Sequence, residues 1–434
     1  MAGEWRDVAL EDVADELTVG FVGPMASEYV DSGIPFLRSM NVDPLRINRN
    51  DLKFITPEFH QRIRKSRLTP GDVVIVRTGK PGACSVVPDW LADANCSDLV
   101  IVRCGTQLDN RFLAYYVNTV ACNHIAAHLV GAVQQHFNVG SARTLRLNLP
   151  PLREQKAIAS VLGALDDLIE VNRETNETLE EMARALFKSW FVDFDPVRSK
   201  LEGRPPAGMD AATAALFPDH FQDSELGQIP KGWEVGPILR QADLLSGGTP
   251  KTDIPSYWVG DVPWASAKDV SQCGEAFLVN TERTITKLGV EKSSTKIIPA
   301  LATVIVARGA TTGRLTMFGH AMAMNQTCYG LRSKYGAPFA LYCHARDFSE
   351  RLVQGGHGSI FDTITTSTFE ATDMILPPRE LLLAFDGLVG PMFNNILSNL
   401  NESRDLAALR DTLLPKLLSG EVSVAKAGLS PKTD

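Results

Sequence analysis

The sequence predicts an α+β protein that is a tandem pseudo-symmetric duplication, with two α+β domains separated by two long antiparallel coiled-coil helices. Three observations lead to this prediction. The chain repeats itself at a spacing of about 228 residues. Each copy mixes short β-branched runs, which are typical of strands, with segments of helical spacing. Each copy also ends in one long helical stretch, so the same plan occurs twice.

Matching segments establish the repeat, because they share apolar, glycine and proline positions at an offset of about 227 to 230 residues. The pairs are EWRDV (4–8) with GWEVG (232–236), IPFLRSMNV (34–42) with VPWASAKDV (262–270), GDVVIVRTG (71–79) with ATVIVARGA (302–310), and LNLPPLREQ (147–155) with MILPPRELL (374–382). The nearly constant offset indicates that each copy is a compact unit followed by one long helix.

The first long helix is predicted between Leu152 and Phe194, a stretch with no proline and one glycine, Gly163. At 1.5 Å per residue, the roughly 39 residues from Leu152 to Trp190 would span about 58 Å, which is long for a helix inside a small domain. Asn172 and Thr175 interrupt its apolar stripe. The residues of that stripe, which we expect at the coiled-coil interface, are Ile158, Val161, Leu165, Leu168, Leu179, Met182 and Leu186.

The second long helix is predicted over residues 379–422, where apolar residues recur mostly at intervals of three, four or seven. We expect a kink or a late start near Pro391 and a kink near Pro415, since proline removes a helix hydrogen bond. Both helices could instead be ordinary buried helices of one large domain, but their length and position favour a coiled pair. The interface residues predicted here are Leu406, Leu409 and Leu413.

These elements divide the chain into six segments. The stretch between the first helix and the second copy is rich in proline, glycine and acidic residues, so it is interpreted as a surface connector. The segments are the first α+β domain (1–150), the first long helix (151–194), the connector (195–232), the second α+β domain (233–378), the second long helix (379–422) and a C-terminal tail (423–434).

Composition indicates a cytoplasmic globular protein. The 434 residues are 44% hydrophobic and 22% charged, and the seven cysteines form no paired CxxC sets. We therefore expect neither a disulfide framework nor a zinc or other metal site. The sequence has no signal-peptide pattern and no run of eighteen apolar residues, which argues against export and membrane spanning.

Basic residues cluster in matching parts of the two copies, although the net charge of the chain is −8. Clustered Lys and Arg of this kind are typical of contacts to a phosphate backbone. An ordinary solvated charged face is the alternative. The first cluster is Arg62, Arg64, Lys65, Arg67, Arg77 and Lys80, opposed by Asp72 alone. The second is Arg283, Lys287, Lys292, Lys296, Arg308 and Arg314, opposed by Glu282 and Glu291. Lys268 is a further candidate for contact with DNA.

Two glycine-flanked segments at matching places are candidate readers of DNA bases. Gln can pair with adenine through two hydrogen bonds, and Arg77, Arg308 or Arg314 could pair with guanine in the same way. Tight turns that satisfy their own backbone would explain the glycines equally well. The segments are GAVQQHFNVGS (131–141), with Gln134, Gln135 and His136, and GGHGSIFDTI (355–364), with His357 and Ser359.

The first long helix is acidic over its middle, where Arg173 is the single cation. Such a surface would repel DNA and would suit a protein partner, although a solvated face is the alternative. The carboxylates are Asp166, Asp167, Glu170, Glu174, Glu177, Glu180 and Glu181.

Motifs for catalysis are missing. An adenine methyltransferase would need an Asn-Pro-Pro-aromatic motif to hold a flipped base, and in NLPPL (148–152) a leucine separates the asparagine from the prolines. SGGTPKT (246–252) lacks the Gly-Lys-Ser/Thr ending of a phosphate loop. We therefore expect no catalytic residue and no cofactor in this chain.

Four segments resemble the specificity subunit of type I restriction-modification systems. They are GGTPKTDIPSYWVGDVPWASAKDV (247–270), the stretch 149–197, DSELGQIPKGW (223–233) and LRDTLLPKLLSGEV (409–422). The resemblance extends over nearly the whole chain and is weakest over residues 40–130. It implies two target recognition domains, each reading one half of a bipartite double-stranded DNA site, and two helices that set the spacing.

The resemblance also implies partners. These are two methyltransferase (modification) subunits docked on the helices and, for cleavage, two ATP-dependent restriction and translocase subunits. S-adenosylmethionine, ATP and magnesium are then expected in the partners, which supply adenine-specific methylation in a prokaryotic cytoplasm. The alternatives are a self-sufficient adenine DNA methyltransferase, disfavoured by the missing motifs, and a coiled-coil scaffold without a nucleic-acid role.

Overall fold

The computed structural model describes residues 5–121, 125, 137–355 and 363–424. The chain forms two compact units. The first unit comprises Met1–Leu168 with Asp405–Asp434, and the second comprises Ile169–Arg404. Gln134, Gln135, His136, His357 and Ser359, the candidate base readers, lie outside the described residues.

The α-helices of the described residues are as follows. They are α1 (Pro57–Arg62), α2 (Asn110–Thr119), α3 (Val139–Arg143), α4 (Leu152–Phe191), α5 (Asp195–Leu201), α6 (Ala211–Ala215), α7 (Ala267–Gln272), α8 (Lys287–Glu291), α9 (Pro338–Gly355), α10 (Thr366–Ala371) and α11 (Arg379–Leu418).

The first unit contains two principal sheets, in the orders β10-β9-β12-β2 and β3-β7-β4-β11-β8, and the two-stranded pairs β1-β13 and β5-β6. Its strands are β1 (Arg6–Ala9), β2 (Ala14–Val19), β3 (Tyr29–Val30), β4 (Ile34–Leu37), β5 (Val42–Asp43), β6 (Arg46–Ile47), β7 (Lys53–Ile55), β8 (Arg67–Leu68), β9 (Val73–Val76), β10 (Cys84–Val86), β11 (Ala94–Cys96), β12 (Leu99–Cys104) and β13 (Arg146–Leu149).

The second unit contains the sheets β17-β25-β22-β23-β19 and β20-β18-β24-β21, and the pairs β14-β15 and β16-β26. Its strands are β14 (Phe221–Ser224), β15 (Gly227–Pro230), β16 (Glu234–Pro237), β17 (Ala242–Ser246), β18 (Trp258–Ala265), β19 (Phe277–Leu278), β20 (Arg283–Ile285), β21 (Ile297–Ile298), β22 (Thr303–Val306), β23 (Leu315–Phe318), β24 (Met322–Met324), β25 (Cys328–Ser333) and β26 (Asp373–Leu376).

The two units share one strand plan, which confirms the predicted duplication. In the first unit β2, β12, β9 and β10 are neighbours in that order, as β17, β25, β22 and β23 are in the second. The strand that opens each domain pairs antiparallel with the strand that closes it, β1 with β13 and β16 with β26. The sheet β3-β7-β4-β11-β8 of the first unit and the sheet β20-β18-β24-β21 of the second each contain one parallel pair, β4 with β11 and β18 with β24.

Strand β9 shows why the apolar runs form the centre of each domain. All four of its side chains are buried. Val73 and Ile75 belong to one apolar cluster, whereas Val74 and Val76 belong to another. Because side chains alternate between the faces of a strand, a continuous β-branched run fits a sheet that is covered on both sides. Strand β22 has the same four buried positions in the second unit.

The two long helices have 40 residues each. Helix α11 begins at Arg379 and continues through Pro391 and Pro415, so the late start considered near Pro391 is wrong. Within the second unit, Asn172 contacts Ser403 and Asn176 contacts Asn399. The residue numbers of the partners in α11 decrease as those in α4 increase, so these segments of the two helices are antiparallel.

The buried stripe of α4 agrees with part of the predicted interface, since Ile158 is buried at 1% exposure, but three of the predicted residues are exposed. Leu168 and Met182 of α4 and Leu409 of α11 are 40%, 48% and 48% exposed. The neighbouring Leu162 and Ala183 are buried instead, at 0% and 1% exposure. Three-four spacing fits two adjacent stripes of one helix, and packing against the domain cores decides which of them is buried.

The connector is more ordered than predicted. Residues 195–232 contain α5, α6 and the β14–β15 hairpin. Val197, Phe217 and Ile229 are buried within the apolar core of the second unit. The segment is therefore part of that unit rather than a surface linker.

Among the described residues, α11 alone is long and apolar enough to pass a test for membrane spanning based on length and composition. Its apolar side chains have another explanation, since Leu381, Phe385, Val389, Phe393 and Ile396 are buried in the core of the second unit. A core helix requires the same apolar face.

Candidate nucleic-acid interface

The first basic cluster is built on helix α1 and the short turn after it. Thr56 caps the helix by accepting a hydrogen bond from the Phe59 backbone N–H at 3.1 Å. Phe59 and Ile63 belong to a small core with Phe36 and Ile55 of the sheet β3-β7-β4-β11-β8. Since apolar residues face inward at helical spacing, the basic residues between them point to solvent. Arg62, Arg64, Lys65 and Arg67 are exposed.

The second unit repeats this arrangement at the equivalent place. Helix α8 follows edge strand β20, as α1 follows β7, and Thr286 caps it through the Gly289 N–H at 3.0 Å. Arg283, Lys287 and Lys292 lie on or beside this helix and are exposed. The basic surface therefore lies at matching places, beside the sheet that contains β7 in the first unit and the sheet that contains β20 in the second.

Several of these cations are held in exposed ion pairs. Arg62 pairs with Glu28 at 2.9 Å, Arg67 with Asp93 at 2.8 Å, Lys80 with Asp43 at 3.1 Å and Lys268 with Glu282 at 2.7 Å. Exposed pairs of this kind contribute at most about 1 kcal/mol, so a phosphate could replace the carboxylate at small cost. Arg64, Lys65 and Lys296 form no ion pair with any other described residue.

Arg77 is engaged inside the fold. Its Nη1 lies 2.7 Å from Asp98 Oδ1, and its side chain is only 18% exposed. Thr78 Oγ1 donates to the other Asp98 oxygen at 2.6 Å. The guanine contact predicted for Arg77 would therefore require this half-buried pair to open.

A glycine hairpin joins equivalent strands in each unit and carries the other predicted guanine readers. Gly79 has a φ of 84° and Gly309 a φ of 100°, and a Cβ at either position would meet nothing within 4 Å. These glycines serve backbone conformation rather than close packing. The second hairpin presents Arg308 and Arg314 to solvent, whereas the first presents Lys80.

The described ends of the two segments predicted to read bases are hydrogen-bonded next to these hairpins. Phe137, which belongs to the first segment, donates its backbone N–H to the Arg77 carbonyl at 3.0 Å. Ile364, which belongs to the second, donates to the Ala307 carbonyl at 2.7 Å. Both units therefore bring hairpin and segment end together in the same way.

The sequence analysis did not predict a contact between an arginine and a tryptophan ring in the second unit. The Arg283 guanidinium lies 3.5 Å from the ring centroid of Trp258, whose indole N–H donates to the Lys251 carbonyl at 3.0 Å. Val259 follows, 91% exposed and with a φ of 61°. The two tryptophans of SYWVGDVPW (256–264), with an arginine about 20 residues later, were the available signal.

The acidic stretch of α4 is largely neutralised by cations, several of them from other elements. Asp166 pairs with Arg410 at 2.6 Å, Asp167 with Arg111 at 3.0 Å, and Glu180 with Arg346 at 2.5 Å. The interpretation of α4 as an acidic surface counted only Arg173, because partners distant in sequence cannot be seen in a local count. Burial raises the pKa of Glu180 above its ordinary value.

In the part of the chain that the structure describes, no group of three or more His, Cys, Asp or Glu could hold a metal ion. The described cysteines are buried or half-buried. Burial raises the pKa of the Cys104 and Cys328 thiols to about 12. Such thiols are poor nucleophiles at neutral pH.

Comparison with known proteins places this geometry in a family. The family model for the type I restriction modification DNA specificity domain matches residues 3–181 and 230–380. The HindI specificity subunit of Haemophilus influenzae, a type I restriction enzyme subunit, is 29% identical over 65% of this chain and 70% of its own. The MjaIX specificity subunit of Methanocaldococcus jannaschii is 26% identical over 97% of this chain and 94% of its own.

A solved structure has the same fold. The S subunit of a type I restriction-modification system from M. genitalium matches with a TM-score of 0.53 and 14% identity, over 95% of this chain and 96% of that chain. The family model covers both copies of the internal repeat, each with its own basic cluster and glycine hairpin. The chain therefore belongs to the type I restriction-modification DNA specificity family.

Proposed function

We propose that each α+β domain reads one half of a bipartite double-stranded DNA site and that α4 and α11 set the spacing between the halves. The observation that supports this most is the repetition of exposed cations at equivalent elements, α1 in the first unit and α8 in the second. A scaffold without a nucleic-acid role gives no reason for basic surface to recur at the same place. Cations of this kind position a protein on the phosphate backbone, whereas base contacts specify the sequence.

Sequence specificity would then come from the two glycine hairpins and from the segments 131–141 and 355–364. Arg308 and Arg314 are exposed, and neither side chain is paired with another described residue. Arginine can donate two hydrogen bonds to guanine in the major groove. The first hairpin has Lys80 where the second has two arginines nearby, so the two units would read different half-sites.

The chain alone would be catalytically silent and would act in a complex in a prokaryotic cytoplasm. Its partners would be two methyltransferase subunits, with two ATP-dependent restriction and translocase subunits for cleavage. S-adenosylmethionine, ATP and magnesium would bind to those partners. The named relatives, which come from a bacterium and an archaeon, are described as subunits of type I restriction enzymes, which is consistent with this assignment.

A salt titration of DNA binding tests the proposal. Replacing Arg64, Lys65, Lys287 and Lys292 with alanine should weaken binding to all sequences. Since the slope of log K against log salt decreases by about 0.9 for every phosphate that is no longer neutralised, the slope should fall by up to roughly three to four. The matched control replaces Arg204 and Lys231, two exposed cations of the connector (195–232), and should leave the slope unchanged.

An unchanged slope in the four-alanine variant would remove these faces from the DNA interface. The competing assignment, a self-sufficient methyltransferase, is tested with the same protein. Methyl transfer by the purified chain without a partner subunit would contradict the proposal of a silent subunit.

A further inference from the structure

The two long helices are copies of each other at an offset of 227 residues. Their buried side chains correspond at this offset: Ile158 with Phe385, Leu162 with Val389, Phe187 with Leu414 and Trp190 with Leu417. The same offset relates NRETN (172–176) in α4 to NLNES (399–403) in α11. Asn172 thus corresponds to Asn399, and Asn176 to Ser403.

These four residues contact each other in a reciprocal pattern. Asn172 Nδ2 donates to Ser403 Oγ at 3.3 Å, and also to Glu402 Oε2 at 3.0 Å. Asn399 Nδ2 donates to Asn176 Oδ1 at 2.9 Å. Under the internal duplication each pair is the image of the other. Asn172 is 7% exposed and Asn176 is 2% exposed.

Buried asparagines are unusual in this part of a helix pair. Between Leu162 and Ala183, the side chains of α4 that are buried are those of Asn172 and Asn176. A buried amide costs stability unless it is hydrogen-bonded. In coiled coils a single buried asparagine specifies register, because a shifted partner helix leaves the amide unpaired.

An ion pair excludes the shift that the asparagines alone would tolerate. Moving α11 by one turn in one direction would place Asn172 opposite Asn399 and Asn176 opposite Asn395, so polar pairs would persist. The same shift would put Leu406 in the place of Arg410, whose guanidinium now lies 2.6 Å from Asp166, so the half-buried carboxylate would lose its ion-pair partner. The opposite shift would place Asn172 against Ala407, which would leave the Asn172 amide without a side-chain hydrogen-bond partner.

We propose that the Asn172–Ser403 and Asn176–Asn399 pairs, together with Asp166–Arg410, form a register lock that fixes how far α11 extends along α4. The inference rests on the proposed function in one respect, namely that helix register sets the gap between the half-sites. One helical turn is about 5.4 Å and one base pair about 3.4 Å. A one-turn slip would therefore alter the gap by one or two base pairs.

The test measures the register directly in the full chain. Spin labels at Val171→Cys and Leu383→Cys, both exposed and both in the second unit, report the helix register by double electron–electron resonance. In the observed register these positions are separated along the helix pair by about 21 residues, roughly 32 Å, so a slip along the axis changes their distance by nearly its full length. The chain with the intact lock should give one narrow distance. Replacing Asp166, Asn172, Asn176, Asn399, Ser403 and Arg410 with leucine should add a second population displaced by about 5 to 6 Å, one helical turn.

Two further variants complete the design. Exchanging the residues at the two corresponding positions, with Asn176→Ser and Ser403→Asn together, keeps a hydrogen-bonding residue at every position and should give the distance of the intact lock. If the six-leucine chain does not fold, the variant that replaces only the two asparagine pairs serves instead, and its distance distribution should widen. The parent chain without introduced cysteines gives the labelling background.

A single unshifted distance in the six-leucine variant would overturn the lock, as would an unwidened distribution in the four-leucine variant. Mapping of methylated sites with the partner subunit then addresses the spacing. If the distance splits while the gap stays single, the lock stands and the proposed role of the helices in spacing fails. If both change together, lock and spacing are supported.

Discussion

His344 is a buried histidine whose pKa is lowered by the fold. It is 4% exposed and packs edge-on against Phe187, with ring centroids 4.9 Å apart. Burial, with a smaller contribution from Arg351, lowers its pKa to about 3. The ring is therefore neutral in the folded protein over the whole physiological range.

A pH-dependent stability follows. Above pH 6.5 the ring is neutral in both states and has no effect. As the pH falls from 6.5 towards 3, the unfolded chain binds a proton that the folded chain does not, so stability falls by roughly 1.4 kcal/mol per unit. Replacing His344 with phenylalanine should remove about 2 to 3 kcal/mol of the loss between pH 6 and pH 4. Urea unfolding at both pH values measures it, and an equal loss in the two proteins would contradict the neutral, buried state.

At the scale of elements, the helix pair shows where the internal symmetry is broken. Asp166 and Arg410 form an ion pair in the first unit. At the offset of 227 residues their counterparts are Phe393 and Ala183, which are buried in one apolar cluster of the second unit. Tyr115 also donates a hydrogen bond to Asp166, so removal of Arg410 leaves a half-buried carboxylate with one partner fewer.

This asymmetry predicts the outcome of a double-mutant cycle. Arg410→Ala should lower the free energy of unfolding by about 1 to 3 kcal/mol, since breaking a buried pair costs more than replacing both partners. Asp166→Phe combined with Arg410→Ala copies the apolar arrangement of the second unit and should recover most of that loss. Denaturant unfolding of the two single variants and the double variant gives the coupling. Additive losses would show that the two side chains act independently.

The sequence was sufficient to predict that these two helices exist and roughly where they begin and end. It was not sufficient to predict which of their faces is buried. Spacing predicted α4 within a few residues of Leu152–Phe191, because a long proline-free amphipathic run has few alternatives. Spacing could not separate the stripe of Leu168 and Met182 from that of Leu162 and Ala183, since both are apolar. Asn172 was noted as an interruption of the stripe, whereas its partners lie some 230 residues away.

At the scale of the whole molecule, the duplication was predictable because the two copies share matching segments of sequence. The equivalence of α1 with α8 and of the two glycine hairpins follows from it. The sequence could not predict which individual cations form ion pairs within the fold. Arg77 is bound by Asp98, 21 residues later in the chain, while Arg308 and Arg314 remain exposed, and only folding decides which arginine is free.

The central claim, that each unit reads its own half of a bipartite site, is tested most directly by mapping methylated sites in DNA modified by the chain with its methyltransferase partner. The unaltered protein should give a two-part motif with a fixed gap. Replacing Arg308 and Arg314 with alanine should relax one half of that motif, because each arginine–guanine pair contributes about 1 to 3 kcal/mol of discrimination, and should leave the other half and the gap unchanged. A motif altered in both halves, or one continuous motif without a gap, would contradict the account.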